Sequence, residues 1–460
     1  MELLKPSKKI ALIQNERRIS YEQLLDTGRR FGGRLRREGV STGKYVLVFT
    51  PLSIELYVAM IGAWSIGAVP IFIDFSRGAK FVNDSIVRLR PDIMVCDNVT
   101  RIMRHMYPKM RKLKTLVVKR SNESVCIDKL KPEHPAILTL TSGTTGVPKV
   151  AIRTHGFLAK QYQVLKRHID FDEAHIDLGT LPVFTLASLA TNMTTLLPYN
   201  NYTSKINTAR LAAKMEREGV TRVVCSPALI GSLLKHNNLP SLKSVYLGGA
   251  PVYPSILETI NKAVDLHIVY GSTEAEPISS IRWADVNTED REKIVGGEGL
   301  LVGNVIPEIE CKIGGDNEIL VSGETVLKGY LDGIGDNENK IRDGEKIWHK
   351  TGDAGFIDER GRLWLLGRIG QVIRGINGVC YPFCIECILD AHFGIRGAVF
   401  ASSGEQVIVV IEKGSANPED VLSALGSWHV ARVIEVKKLP MDKRHGAKID
   451  YARLEKIIER

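Results

Sequence analysis

Residues 136–149 read AILTLTSGTTGVPK. The first five make a short apolar strand. The next nine, Thr141 to Lys149, hold six Gly, Ser or Thr residues and close on a lysine. Gly143 and Gly146 let the backbone bend and approach a ligand closely. Successive N–H groups in such a loop form a concave anion site. The hydroxyls of Thr141, Ser142, Thr144 and Thr145 add donors, and Lys149 adds a charge. Phosphate is the anion expected. The loop is not a Walker A motif, because Val147 and Pro148 separate Gly146 from the lysine.

Outward from this loop, strand-like and helix-like runs alternate. Tyr21 to Arg37 reads as an amphipathic helix capped by Ser20. Tyr45 to Phe49 is a short apolar strand, Ile54 to Ile66 a helix ended by Gly67, and Val69 to Ile73 another strand. The pattern returns at Arg222–Cys225, Ser244–Leu247 and Leu266–Tyr270. This alternation predicts an α/β fold with mostly parallel, helix-covered sheets. Ligands of such sheets sit at the carboxyl ends of the strands. The loops SGTTG, SPA, GGAP and YGSTE are therefore expected to line one crevice. After about Gly299 short strands and turns dominate. Residues 369–460 read as a small α+β unit, so the expected division is 1–368 and 369–460.

A chain of 460 residues exceeds one hydrophobic core, and 44% hydrophobic with 25% charged residues is ordinary for a globular protein. The net charge of +10 favours polyanionic partners: nucleotides, coenzymes, nucleic acid or acidic membranes. Much of the charge is local, in RIMRHMYPKMRKLKTLVVKR (101–120), which reads as a solvated basic surface segment. No zinc-finger spacing or RNP-like block accompanies it, so no nucleic-acid partner is expected. No run of about 18 apolar residues is present, no signal peptide is expected, and the seven cysteines are scattered. A cytoplasmic protein with reduced thiols is expected. Cys380, Cys384 and Cys387 have a spacing that can ligate an iron–sulfur cluster. The preferred reading is that Pro382 opens a helix and the latter two face its core.

Three more motifs carry chemistry. In YGSTE, Tyr270 offers a ring to stack on a base, Gly271 and Ser272 continue the turn, Thr273 offers a hydroxyl, and Glu274 is a hard ligand for Mg²⁺. In WHKTGDAGFIDERGRLWLLGR (348–368), Asp353 follows Gly352 and can take both hydroxyls of a ribose. In PMDKRHGAKID (440–450), Lys448 stands just ahead of a helix expected near Tyr451.

Taken in order, these motifs resemble the adenylate-forming superfamily of acyl-CoA synthetases, nonribosomal peptide adenylation domains and luciferases, over nearly the whole chain. The resemblance implies a large AMP-binding region and a small mobile C-terminal domain. It implies a reaction of carboxylate with MgATP to acyl-AMP, then acyl transfer to CoA or to an acyl carrier protein. By that resemblance the Thr141–Lys149 loop holds the β- and γ-phosphates. Thr273 touches the α-phosphate, Glu274 binds Mg²⁺, Tyr270 with Gly248, Gly249 and Ala250 flanks adenine, and Gly271 and Ser272 belong to the same ATP/AMP-binding motif. Asp353, helped by Arg368, holds the ribose, and Lys448 is the catalytic lysine. The hinge falls on Gly370, where many members carry Asp or Lys.

Val183, Phe184, Thr185 and Ser188 are expected to border the acyl pocket. Thr185 stands where many relatives have a histidine, and Val150 replaces a glycine common after the loop lysine. The pocket segment is apolar and lacks an acid to pair an α-amino group, which favours a fatty or other apolar acid. WHKTGD, GRLWLLGR and RHGAKID are also similar to olefin-pathway β-lactone synthetases, in which the substrate's own β-hydroxyl attacks the adenylate. A catalytically weak ATP-binding protein of the same fold is the reading from another class. Nothing in the sequence sets the oligomeric state.

Overall fold

The computed structural model describes residues 4–119, 125–126, 128–141, 148–198, 206–236, 238–375, 378–401, 406–442 and 448–458. The chain forms two compact units. The first comprises 1–224, 239–242 and 327–337, and the second 225–238, 243–326 and 338–460. Residues 369–460 fall in the second unit together with part of the preceding chain.

In the first unit, β1 (Ile10–Gln14) and β2 (Arg17–Ser20) form a hairpin, followed by β3 (Tyr45–Phe49), β4 (Val69–Phe72), β5 (Ile93–Cys96) and β6 (Thr115–Val117). Then come β7 (Pro135–Thr141), β8 (Lys149–Thr154), β9 (Ile176–Gly179), β10 (Thr194–Leu196) and β11 (Arg222–Cys225). One sheet runs β6-β5-β3-β4-β7-β8. It is parallel except for the β7–β8 hairpin, whose register sets Thr141 opposite Lys149. The other runs β2-β1-β10-β9-β11 and is parallel apart from β1–β2.

The helix Tyr21–Arg37 starts where expected. Ser20 Oγ accepts from Gln23 N, and the Gln23 side chain accepts from Ser20 N, a capping box. It crosses the helix Ile54–Ser65 closely. A Cβ on Gly28 would lie 2.4 Å from Ile61 Cγ2, and one on Gly32 2.1 Å from Ser65 Oγ. Small residues here let two backbones approach. The helix Ile54–Ser65 is buried on every side, as its lack of an amphipathic pattern requires.

The second unit carries β12 (Ser244–Leu247), β13 (Asp265–Ser272), β14 (Ala275–Arg282), β15 (Leu300–Val305), β16 (Ile309–Ile313) and β17 (Glu318–Gly323). β18 (Lys340–Asp343), β19 (Lys346–Ile357) and β20 (Arg362–Arg368) complete its large sheet. The order is β12-β13-β14-β15-β20-β19-β17-β16, with β18 on β19. Only β12–β13 is parallel; from β13 onward neighbours run antiparallel. The mostly parallel expectation therefore holds for the first unit and stops at β13. Short connections account for the β13–β14, β16–β17, β18–β19 and β19–β20 pairs, since two-residue and four-residue turns can join only antiparallel strands.

The C-terminal segment of this unit has a β21–β22 hairpin (Ile373–Gly375, Gly378–Cys380) and a sheet of β23 (Gly397–Ala401), β24 (Val407–Glu412) and β25 (Val430–Val436). Helices Pro382–Phe393 and Pro418–Ala424 close over a core of Ile385, Leu389, Val409, Ile411 and Val421. Pro382 opens its helix as read from sequence, and Cys384 and Cys387 are buried. Burial pushes the Cys380 thiol up to about 11 and Cys384 to about 12, so both stay protonated near neutrality.

Candidate active site

The residues that sequence singled out lie in both units, and each group is built by its own unit. In the second, β13 delivers Tyr270. A bulge at Gly271 precedes Ser272, which pairs with Ala275, so Thr273 and Glu274 form the tight turn into β14. YGSTE is thus the end of a strand and its hairpin turn. Glu274 N donates to Ser272 Oγ at 3.2 Å, which fixes that turn.

Asp353 comes from β19 and faces Arg368 of β20 in the strand register. Tyr270 Oη donates to Asp353 Oδ2 at 2.8 Å. Arg368 Nη1 lies 3.0 Å from Asp353 Oδ1 and donates to Thr351 O at 3.2 Å. Asp353 N donates to Thr351 Oγ1 at 3.1 Å, and Thr351 Oγ1 donates to Ile319 O at 2.9 Å, which ties the TGD segment to β17. Gly352 takes a left-handed φ of 72°, a conformation that calls for glycine.

The electrostatics follow. The Asp353 carboxylate raises the Arg368 guanidinium, with smaller contributions from Tyr270 and Glu274. Glu274 therefore belongs to the same field. Burial, then the Asp353 charge, pushes the Tyr270 phenol well above its usual range. A carboxylate offers about four acceptor positions. Tyr270 and Arg368 each take one, on different oxygens. One position per oxygen is left, which matches the two adjacent hydroxyls of a ribose.

Gly248 and its neighbours border this cluster. Gly248 N donates to Cys225 O at 3.1 Å, and a Cβ on Gly248 would lie 2.6 Å from Val269 O. The loop Gly248–Ala250 thus abuts the backbone just before Tyr270, and Gly249 has φ of 76°.

Lys448 is exposed at the base of a hairpin. Its N donates to Asp442 Oδ1 at 2.8 Å and its carbonyl accepts from Asp442 N at 2.8 Å, two residues before Asp450 and the helix at Tyr451. Gly370 sits in an exposed turn, where an added Cβ would meet nothing within 4 Å.

In the first unit, Lys149 opens β8 and is only 4% exposed. Its stem runs against Gly335, where an added Cβ would lie 2.8 Å from Lys149 Cδ, and its ammonium is 5.7 Å from the Tyr330 ring centre. Tyr330 bridges Ala151 of β8, and Asp336 Oδ1 accepts from Tyr330 N at 2.8 Å. Sequence reading missed Tyr330, Gly335 and Asp336; the only signal was a Gly- and aromatic-containing turn. The backbone of Thr141 ends β7, while Ser142, Gly143, Thr144, Thr145 and Gly146 lie outside the described residues.

The proposed pocket segment is a helix, Pro182–Ala190. Val183 is half-buried, whereas Phe184, Thr185 and Ser188 turn inward. Ser188 Oγ donates to Asp177 Oδ2 at 2.7 Å, and Asp177 pairs with Arg222 at 2.6 Å, both fully buried. Thr185 is fully buried beside Tyr57. These residues support the helix from within, while Val183 stands on its less buried side.

Residues 3–331 match the model of the AMP-binding enzyme family. An olefin β-lactone synthetase of Xanthomonas campestris is 25% identical, the match covering 95% of this chain and 90% of that protein. An indoleacetate–CoA ligase of Aromatoleum aromaticum is 26% identical over 89% of this chain and 86% of the ligase. The solved o-succinylbenzoate CoA synthetase of Bacillus subtilis, in complex with its acyl-adenylate intermediate, shares the fold. Its TM-score is 0.81 at 21% identity, covering 97% of this chain and 95% of that one. The chain belongs to the AMP-binding, adenylate-forming enzyme family and is an AMP-forming ligase.

Proposed function

We propose that the protein activates an apolar carboxylic acid, of the fatty-acid kind, with MgATP and then passes the acyl group to the thiol of CoA. The observation that carries this reading is the Asp353 carboxylate, held by Tyr270 and Arg368 with one acceptor position per oxygen left for a ribose. In the first step a carboxylate oxygen attacks the α-phosphorus and pyrophosphate leaves. In the second the CoA sulfur attacks the acyl carbon and AMP leaves. The work is positioning and charge neutralisation.

The roles divide as follows. Asp353 and Arg368 hold the ribose. Tyr270 and Gly248–Ala250 flank the adenine. The Thr141–Lys149 loop takes the β- and γ-phosphates, with the Lys149 stem braced by Tyr330 and Gly335. Thr273 contacts the α-phosphate. Glu274 would hold Mg²⁺, which neutralises the departing pyrophosphate. Lys448 stabilises the charge built up as the carboxylate meets the α-phosphate. Residues 369–460 turn about Gly370 between the two steps; the open surroundings of Gly370 support that placement.

A second reading has a specific support. The similarity to the Xanthomonas olefin β-lactone synthetase spans 95% of the chain. In that reading the β-hydroxyl of the activated acid closes on its own acyl carbon and no CoA is consumed.

Mass spectrometry of reactions with MgATP and a panel of acids, β-hydroxy acids included, with and without CoA, separates these. Acyl-AMP converted to acyl-CoA supports the first reading. Acyl-AMP from β-hydroxy acids that yields a lactone regardless of CoA supports the second. No adenylate from any acid, with ATP bound, overturns both.

A further inference from the structure

The basic segment noted in the sequence is not a plain solvated face. Helix Asn98–Met103 continues through a tight turn, Arg104–Met106, and a second, Met110–Lys112. Its inner side is anchored. Thr100, Tyr107 and Met110 are buried, and Met103, Tyr107, Met110 and Leu113 pack with Val82, Ile86 and Leu89 of the neighbouring helix Ala79–Leu89. Asn83 Oδ1 accepts from Lys109 N at 2.9 Å and joins the two segments.

The outer side is unusual. Among the described residues, the two most exposed large apolar side chains are Ile102 at 70% and Met106 at 67%. Val99 is also exposed, three residues before Ile102, and Val87 is exposed one turn beyond Asn83. Around them stand Arg101, His105, Lys109, Arg111 and Lys112, all exposed. Arg111 lies along the surface, its Nε donating to His105 O at 2.9 Å. Residues 98–119 contain no Asp or Glu. Asp97 caps the helix through Val99 N and Thr100 N, and Asp84 belongs to the neighbouring helix. Lys114 is already paired with Glu38.

Exposed aliphatic side chains ringed by cations carry a cost in water unless a partner covers them. A bilayer rich in anionic headgroups offers both complements: an acyl boundary for Ile102 and Met106, and phosphate charge for the lysines and arginines. An acidic protein would match the charges but would more commonly present polar side chains to the two aliphatic tips.

We propose that residues 98–112 dock this protein peripherally on anionic phospholipid surfaces, with Ile102 and Met106 entering the headgroup layer. This goes beyond the ligase reading and does not depend on which acid is activated. It places a carboxylate-activating enzyme at the phase where apolar acids concentrate.

The test is co-sedimentation of the full chain with vesicles of phosphatidylcholine alone and of equimolar phosphatidylcholine and phosphatidylglycerol. Binding is expected to the anionic vesicles only, and to weaken as salt rises. Ile102→Asp with Met106→Asp should lower the partition at least about tenfold, since each also loses an inserted apolar group. Lys109→Gln and Lys112→Gln should each lower it about fivefold. Melting temperature and pyrophosphate release should not change; if the aspartate pair melts early, Ile102→Ser with Met106→Ser replaces it. Three results overturn the proposal: no partition at low salt, partition unaffected by the Ile102 and Met106 variants, or binding of an acidic carrier protein to this face without vesicle binding.

Discussion

Tyr270 and Asp353, 83 residues apart in the chain, meet in a 2.8 Å hydrogen bond on the carboxylate that Arg368 also holds. The two contacts use different oxygens and so fix the orientation of the carboxylate. Asp353→Asn keeps the shape but removes the charge and half of the acceptor capacity. Loss of a charge-assisted bond is worth about 1.5–3 kcal/mol, or roughly tenfold to a hundredfold in the KM for ATP. Tyr270→Phe keeps the ring and loses one bond, so a rise of only about fivefold is expected. Pyrophosphate release against ATP concentration reads both. Equal effects from the two variants would contradict the division of roles.

Gly248 is a packing constraint. Its Cβ would lie 2.6 Å from Val269 O, a backbone atom that cannot step aside alone. Gly248→Ala should cost about 1–3 kcal/mol of stability and displace the strand that carries Tyr270. Gly249, with φ of 76° and open space around it, should lose about 1–2 kcal/mol on substitution by alanine, from backbone strain alone. Denaturant melts give the stabilities, and ATP titration shows which variant moves the site.

Glu386 gives the fold a pH dependence. Tyr253 Oη and Tyr451 Oη both donate to its carboxyl, the latter at 3.1 Å. Burial pushes it up to about 7, against the opposing pull of those two bonds and of Arg396. The folded state therefore keeps a proton that the unfolded chain has already released. Stability should fall as pH rises from the ordinary carboxylate range through about 7. Glu386→Gln should flatten that slope. Thermal melts across the window check it; a wild-type slope of opposite sign would refute the assignment.

Lys448→Ala should leave ATP binding within about twofold, because an exposed lysine contributes little to ground-state affinity. The rate of acyl-AMP formation should drop about a hundredfold or more, the usual scale for losing a group that stabilises developing charge. Single-turnover measurement of acyl-AMP separates the two effects.

Much of the fold was legible. Arg222–Cys225 and Ser244–Leu247 are strands over those residues, and Ser20 caps its helix as expected, with Gln23 as a reciprocal partner that the structure added. Period and capping are local, so one sequence displays them. The inward turn of Thr185 and Ser188 was hidden, because a helix of small and apolar residues on all sides has no face to read. The buried Asp177–Arg222 pair was hidden too, since a charge in a strand reads as solvent-exposed. Tyr330 and Gly335 escaped because only the folded chain lays them on the Lys149 stem. The motifs named the candidate site's residue types, and the structure supplied the Tyr270–Asp353–Arg368 arrangement.

The β13-β14-β15-β20-β19 order has a consequence for how the protein is born. Tyr270 and Asp353 stand on strands separated by three others, and β20 is needed to place β19 in that order. The family-model match ends at residue 331, before Asp353 and Arg368 are reached. A growing chain of that length already carries the Thr141–Lys149 segment and Tyr270 but not Asp353 and Arg368. On the proposed roles, affinity for nucleotide is expected to become complete only once synthesis has passed Arg368, so ATP should steady this protein's folding late in synthesis more than early.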